Sequence, residues 1–263
     1  MANKQNGNLT SKNYWDATYT DRGACELSVD GFRNRYEAKI FNVLRDEVSN
    51  AKNVLEIGAG DSLWLPFLAN RFKSVSFTGL DYSELGCEKL GQRGMSLGIN
   101  VICEDFLQPR SEMAQRYDLL LSFGVVEHFE SLKHVLANFR NYLIENGRVV
   151  TIIPNMSGSL GWLTKHLNRE VFLLHNPHTL ESLISGHKDA GFKIIAADYL
   201  GTTNFGVLSS CVKGNGDFNY YIYLWLSRLT KAISLFEAHT VDFSTSKFLS
   251  PYIYCIAEME NIS

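Results

Sequence analysis

Short apolar runs alternate with stretches of helical periodicity along most of this chain. The runs cover residues 54–57, 75–80, 99–103, 119–122 and 149–153, and the helical stretches between them cover 63–70, 84–97 and 132–145. Strands separated by helices of that length predict βαβ crossovers and a parallel sheet. The runs are near-continuously apolar instead of alternating, as strands covered on both faces are. Ahead of them, Phe32, Tyr36, Ile40, Phe41, Val43 and Leu44 share one helical face over residues 32–49. Behind them, a helix over 178–190, stopped by Gly191, leads to strands at 192–198 and 252–258. Between these last two strands lie a Gly-rich turn at 213–217 and a long apolar helix from about Tyr220. Gly147 stands where the helix from Leu132 is expected to end in a left-handed cap. With no repeat, low-complexity tract or clear linker, the chain reads as a single domain over 1–263 with an insertion.

Composition changes this picture little. At 263 residues, 45% hydrophobic and 20% charged, the chain can bury a sizeable core without disulfide or metal staples. A net charge of −3 with scattered Lys and Arg leaves no electrostatic footprint for a nucleic-acid backbone, so no such partner is expected. Cys25, Cys87, Cys103, Cys211 and Cys255 form no close pair, which reads as reduced, mostly buried thiols in a reducing, cytoplasmic setting. Residues 1–15 carry no apolar core of a secretory signal. Residues 218–236 are the most membrane-like stretch, yet Arg228 and Lys231 interrupt them. They fall short of the roughly 18 consecutive apolar residues that a span needs. A buried or partly exposed helix is expected there, and its aromatic periodicity suits a core or the face of a homodimer.

The chemistry lies in the run Val54-Leu-Glu-Ile-Gly-Ala-Gly-Asp-Ser62. A strand ends at Glu56-Ile57, and Gly58 and Gly60 let the backbone turn tightly and approach a ligand closely. A helix starting near Ser62 points its amides into the same crevice. That crevice lies outside the carboxyl ends of the strands, where doubly wound sheets bind ligands. The next strand ends at Asp81, whose carboxylate can accept hydrogen bonds from ribose hydroxyls. The third ends in Cys103-Glu-Asp-Phe106, offering an acid for an exocyclic amine and a ring for stacking. The fourth runs on into Phe123-Gly-Val-Val-Glu-His128. A dinucleotide fingerprint would require glycine at position 63, where Leu63 stands, and no GxxxxGK[ST] loop is present. Two strand-end acids without a phosphate loop fit a nucleoside that lacks a pyrophosphate.

As a set, these segments resemble the class I S-adenosylmethionine-dependent methyltransferases. Glu56 to Ser62 is similar to the family's first motif, Leu80-Asp81 to its second-strand acid and Glu104-Asp105-Phe106 to its adenine motif. Tyr117-Asp118 through Glu127-His128-Phe129, and Arg148 through Pro154, resemble its fourth and fifth strands. The stretch from His175 to Leu183, with Ala190-Gly191-Phe192, resembles the helix and strand that follow. The similarity covers roughly residues 13–200. It implies an α/β fold with a doubly wound, mostly parallel seven-stranded sheet, helices on both faces, the last strand antiparallel and a helical insertion between the last two strands. It also implies S-adenosyl-L-methionine as cofactor. Gly58 and Gly60 would approach its methionine and sugar, and Glu56 would position the loop and the amino group. Asp81 would take the ribose hydroxyls, with Tyr82 beside it. Asp105 and the Phe106 backbone would read adenine, and Phe123 or Gly124 backbone groups would hold the amino-acid part. One departure stands out: the third glycine often found in the first motif is Ser62 here, which suits a helix start but removes glycine-like freedom.

Tyr14 and Trp15 resemble the N-terminal segment that folds over the donor in relatives, so residues 1–50 are expected to form a helical lid, against the alternative of simple packing on the sheet edge. His128 follows the fourth strand and is the first candidate base, since imidazole titrates near neutrality; it can equally anchor the loop. Glu127 can hold the donor or that histidine, or face solvent. His175 is a second candidate, for contact with the acceptor, ahead of His178, although Asn176-Pro177 also reads as helix initiation. His166 and His187 are expected at the surface. No His, Cys or carboxylate spacing reads as a metal site. Acceptor recognition falls to residues 154–178 and to an insertion over 202–249. Met156, Trp162, Phe172, Phe205, Tyr220, Tyr221, Tyr223 and Trp225 there can line an apolar pocket. The expected function is methylation of a small organic acceptor at oxygen or nitrogen. Alternatives are a lipid-like quinone, a peptide including its terminal carboxylate, or a non-catalytic subunit that binds the cofactor and a partner.

Overall fold

The computed structural model describes residues 7–20, 26–31, 34–212, 218–241 and 243–260. Cys25, Phe32 and the Gly-rich turn at 213–217 lie outside the described residues. One seven-stranded sheet has the order β3-β2-β1-β4-β5-β7-β6. Its strands are β1 (Asn53–Ile57), β2 (Ser76–Asp81), β3 (Asn100–Cys103), β4 (Tyr117–Phe123), β5 (Leu143–Pro154), β6 (Phe192–Leu200) and β7 (Tyr252–Met259). The first five pair in parallel, while β7 runs antiparallel to both β5 and β6. The expected sheet, last strand included, is therefore the one observed.

Alternation along each strand explains the apolar runs. Leu119 and Leu121 face one hydrophobic cluster and Leu120 the other, and Val54 and Leu55 divide in the same way. Each face must therefore be covered. Helices α2 (Arg35–Asn50), α3 (Trp64–Arg71) and α4 (Glu84–Gly94) close the first face with Ile40, Leu44, Val48, Leu65, Leu68 and Leu90. Helices α5 (Leu132–Phe139) and α8 (Leu180–Asp189) close the second with Leu132, Leu136, Phe139 and Leu183. Burying a side chain of this size stabilises the fold by roughly 1.5–3 kcal/mol each. The sheet order fixes the site as well. Successive strands step one way from β1 to β3 and the other way from β4, so the crevice opens at the carboxyl ends of β1 and β4.

One helix is shorter than its periodicity predicts. The helix from Leu132 stops at Phe139, and β5 begins at Leu143. Gly147 is a strand residue and no cap; the left-handed conformation falls on Asn146, with φ of 60°. Tertiary contacts override the local pattern here. Tyr142 is buried and its hydroxyl donates to the Phe106 carbonyl at 2.8 Å. The Arg140 guanidinium is drawn to the carbonyls of Gly191 and Glu260. Gly191 itself ends α8 with φ of 83°, as expected.

Helices α6 (Ser159–Leu167), α7 (Arg169–Leu173) and α9 (Phe218–His239), with a 3-10 turn at Phe205–Cys211, surround a smaller core of Met156, Leu160, Leu208 and Cys211. The insertion holding α9 leaves β6 and re-enters β7 at the crevice end, where Leu200 pairs with Tyr252. On α9, Phe218, Tyr221 and Trp225 are exposed, as is Trp162 on α6. Among the described residues, no helix is long and apolar enough to cross a membrane. Cys87, Cys211 and Cys255 are buried free thiols, and Cys103 is an exposed one.

Candidate active site

The turn after β1 is held against the end of β2. The amides of Gly58 and Ala59 both donate to the Leu80 carbonyl, at 2.9 and 3.1 Å. Gly58 has φ of 74°, and a Cβ there would overlap the Val125 side chain beyond β4. At Gly60 a Cβ would lie 2.8 Å from Asp81 Oδ2 and 2.7 Å from the Tyr19 ring. Both glycines are thus required by close approach. The next positive φ falls on Asp61, at 55°, so Ser62 is spared that conformation. Ser62 Oγ accepts from the Leu65 amide at 3.2 Å, the cap role open to serine, and donates to Glu56 Oε2 at 2.9 Å.

Asp81 is 5% exposed and heavily bonded. The Gly60 amide donates to its Oδ2 at 2.8 Å and the Ser83 amide to Oδ1 at 2.7 Å. Burial raises its pKa, against these amide bonds and the contact from Tyr19. Glu56, also buried, is pushed up to about 8 by desolvation, against the bond from Ser62. The Glu104 amide donates to the Asp81 carbonyl at 2.8 Å, and Cys103 pairs with Asp81, which sets Asp105 just beyond the neighbouring strand end. Asp105 is half-buried and accepts from the Leu107 amide at 3.0 Å. Tyr82 lies near Asp81, Asp105 and Asp16, and burial lifts its phenol to about 12. Phe106 departs from expectation in one respect. Its ring packs at 5.7 Å against Phe129 and Phe139 in the core, so it is not free to stack on a ligand. Phe123 is half-buried against Trp64, and Gly124 turns with φ of 66°.

The N-terminal arm crosses this crevice. Helix α1 (Lys12–Thr20) sets Trp15 and Tyr19 one turn apart with rings stacked at 5.9 Å. The Tyr19 hydroxyl lies 3.4 Å from Asp81 Oδ2, and Asp16 accepts from the Ser83 hydroxyl. Tyr14 packs edge-on against Trp15 at 5.2 Å. Upstream, Asn8 bridges to Phe129 and the Leu9 amide donates to the His128 carbonyl at 2.7 Å. Sequence reasoning singled out Tyr14 and Trp15 but missed Tyr19 and Asp16. The spacing of four between Trp15 and Tyr19 was the available signal.

Beyond β4, Glu127 and His128 are buried, contrary to any solvent-facing role for the carboxylate. His128 Nδ1 meets the Leu174 carbonyl at 2.6 Å, and His175 Nδ1 meets the Val171 carbonyl at 2.8 Å. The two imidazoles lie 4.6 Å apart, with the Trp15 ring edge-on to His128 at 5.3 Å. The Asn176 amide donates to the Glu127 carbonyl at 2.7 Å, so the chain after α7 is tied to the loop after β4. Burial lowers the His128 pKa to about 3, with the neighbouring His175 adding to the effect, and lowers His175 as well. A pKa so low keeps His128 neutral and makes it a weak proton acceptor near pH 7. His178 is half-buried and shows no hydrogen-bond partner for its Nε2. His166 is exposed, as expected, but His187 is wholly buried: its Nδ1 meets the Leu183 carbonyl and its Nε2 the Thr151 hydroxyl.

A cavity of about 220 Å³ opens between the start of α2 and the insertion, lined by Arg35, Tyr36, Thr202, Tyr223 and Glu237 among others. Tyr36 stacks on Tyr252 at 5.2 Å, and Tyr252 in turn lies close enough to Glu127 to feel its charge. Of the residues expected to line a pocket, Tyr223 does so; Met156 belongs to a small core, while Trp162, Tyr221 and Trp225 face outward.

Residues 55–149 match the family model described as "Methyltransferase domain". A curated protein of Papaver bracteatum, "Probable (S)-tetrahydroprotoberberine N-methyltransferase 2", is 28% identical over 109 residues, covering 39% of this chain. The chain spans 29% of that relative's length. Among solved structures, geranyl diphosphate C-methyltransferase from Streptomyces coelicolor A3(2), bound to Mg2+, geranyl diphosphate and S-adenosyl-L-homocysteine, superposes with a TM-score of 0.63. It is 12% identical, and the match covers 95% of this chain and 98% of that one. N-methyltransferase NodS from Bradyrhizobium japonicum WM9, bound to S-adenosyl-L-homocysteine, gives a TM-score of 0.59 at 13% identity, covering 96% and 100%.

Proposed function

We propose that this chain, a class I S-adenosylmethionine-dependent methyltransferase by domain match and sheet order, moves a methyl group to an oxygen or nitrogen of a small organic acceptor. The carrying observation is the bracket of Gly60 and Asp81, bonded at 2.8 Å at the end of two adjacent strands. A bare backbone beside a buried, bonded carboxylate is the surface that a ribose needs. Oδ1 of Asp81 accepts one bond and keeps a second acceptor site, and the position held by the Tyr19 hydroxyl is a further one. Asp105 lies one strand further out to take an exocyclic amine, and Glu56 faces the amino-acid end.

When bound, S-adenosylmethionine supplies a methyl already activated on a sulfonium. The chain's own part is to align, enclose and dehydrate. Alignment alone can lower such a barrier by on the order of 7–11 kcal/mol. Of the 1–50 segment, α2 packs on the sheet as core, so the lid is the stretch over 7–20, with Tyr14 and Trp15 over the crevice and the Trp15 ring placed to favour a cation. The insertion over 202–249 covers the acceptor cavity beside Tyr36 and Tyr223. The name of the poppy relative favours nitrogen as the receiving atom. The polar lining of Arg35, Thr202 and Glu237 favours a small, hydrogen-bonding acceptor over a lipid.

Calorimetry tests the donor site directly. S-adenosyl-L-homocysteine is expected to bind one to one, and NADH not at all. Asp81→Ala removes hydrogen bonds to a charged group, each worth about 1.5–3 kcal/mol, so affinity should drop about 10- to 100-fold. Tight NADH binding, or unchanged affinity in a folded Asp81→Ala, would refute the assignment. A labelled-methyl screen over compound pools then identifies the acceptor.

A further inference from the structure

The region beyond β4 holds a set of groups that the donor site does not use. Glu127, His128 and His175 each present a ligand atom, and these atoms lie within 4.8 Å of one another. His128 Nε2 is 3.9 Å from Glu127 Oε1. An ion with bonds of about 2.1 Å holds tetrahedral ligands about 3.4 Å apart, so small side-chain rotations close the set.

The outer bonds are also those of a metal site. Each histidine spends Nδ1 on a backbone carbonyl, Leu174 for His128 and Val171 for His175. That fixes the tautomer with the proton on Nδ1 and leaves the Nε2 lone pair directed away, the arrangement common to metal-binding histidines. Glu127 supplies the independent observation. It is 1% exposed, and its Oε2 has no hydrogen-bond partner. A buried carboxylate oxygen left bare is costly, and an ion would remove that cost. Two further contacts hold the set: the Asn176 amide on the Glu127 carbonyl, and the Trp15 ring on His128.

We propose that Glu127, His128 and His175 form a binding site for a divalent transition-metal ion, Zn2+ or a near relative in size and ligand preference. Two imidazoles and one carboxylate are the ligand set of open sites, in which a further position takes water or a substrate atom. The site is linked to the cavity through Tyr252, which feels the Glu127 charge and stacks on the cavity residue Tyr36. An acceptor oxygen or nitrogen entering from that cavity could take the open position. The metal site itself does not rest on the methyltransferase reading.

Cobalt(II) serves as the probe because its d–d bands report ligand geometry. The full chain, stripped with a chelator, should take up one Co2+ with visible bands that an equivalent of Zn2+ bleaches. Glu127→Gln and His175→Ala should each weaken uptake at least 100-fold. Both variants should retain their circular dichroism and their binding of S-adenosyl-L-homocysteine, neither of which needs the ion. Should one variant fail to fold, the other carries the assignment, with His175→Asn as a third. The proposal fails if wild-type protein that binds S-adenosyl-L-homocysteine shows no stoichiometric Co2+ bands, or if the bands persist in the folded variants. Loss of S-adenosyl-L-homocysteine binding by wild-type protein with the bands intact would instead overturn the donor site alone.

Discussion

Two buried side chains set opposite slopes on stability against pH. His187 is neutral in the fold, held by Leu183 and Thr151, and burial lowers its pKa from 6.5 to about 4. Below pH 6.5 the unfolded chain takes a proton that the fold refuses, so stability falls as pH drops through that window, by up to about 3 kcal/mol. His128 adds to the same slope. Glu56 works the other way: burial raises its pKa from 4.5 to about 8. Above pH 4.5 the unfolded chain releases a proton that the fold retains, and stability falls as pH climbs to about 8, by a few kcal/mol. The ligand-free protein should therefore be most stable between about pH 4.5 and 6.5. Urea midpoints from pH 4 to 8 check this. His187→Gln should make the acid slope shallower and Glu56→Gln the alkaline one; an acid slope unchanged in His187→Gln would remove the argument.

Among the elements, α1 carries the sharpest expectation. It lays Trp15 and Tyr19 over the glycine turn and is joined to the rest of the site through Asp81, Ser83 and His128. If α1 is the cover over the donor, trimming its packing should hasten ligand escape more than it slows entry. Aromatic contacts are worth about 0.5–1.5 kcal/mol each, so Trp15→Ala should raise the dissociation rate of S-adenosyl-L-homocysteine about 3- to 10-fold in stopped flow. An unchanged rate would make Trp15 an ordinary packing residue. What the sequence foretold at this scale divides along physical lines. The strands and the glycine turn were readable because Val54 to Ser62 fixes backbone geometry locally. The early end of α5 was not, because Tyr142 and Arg140 find distant partners at Phe106, Gly191 and Glu260. The meeting of Glu127 and His128 with His175 was equally hidden, since only the packing of α7 against the loop after β4 brings them together.

For the molecule as a whole, the outward aromatic face is the feature that a lone protomer leaves unexplained. Phe218, Tyr221 and Trp225 on α9 are each more than 60% exposed, with Trp162 at 60% on α6. Large exposed apolar groups often mark an interface, and we expect this face to pair two copies of the 29.7 kDa chain. Sedimentation equilibrium should give twice that mass, and Trp225→Glu should give a monomer with donor affinity unchanged. A monomeric wild-type protein would end that expectation. His187, placed at the surface by its helical polar context, is a further reminder at this scale: a single polar stripe cannot report which face of α8 meets the sheet.

The antiparallel last strand has one more consequence. Because β7 doubles back beside β6, everything between them leaves and rejoins the sheet at two neighbouring strand ends. The register from β3 to β4, where the glycine turn and the strand-end acids reside, never passes through those two ends. On the proposed reading of the acceptor cavity, the segment is an interchangeable tool head, whose exchange would alter what is grasped while the handle stays as it was.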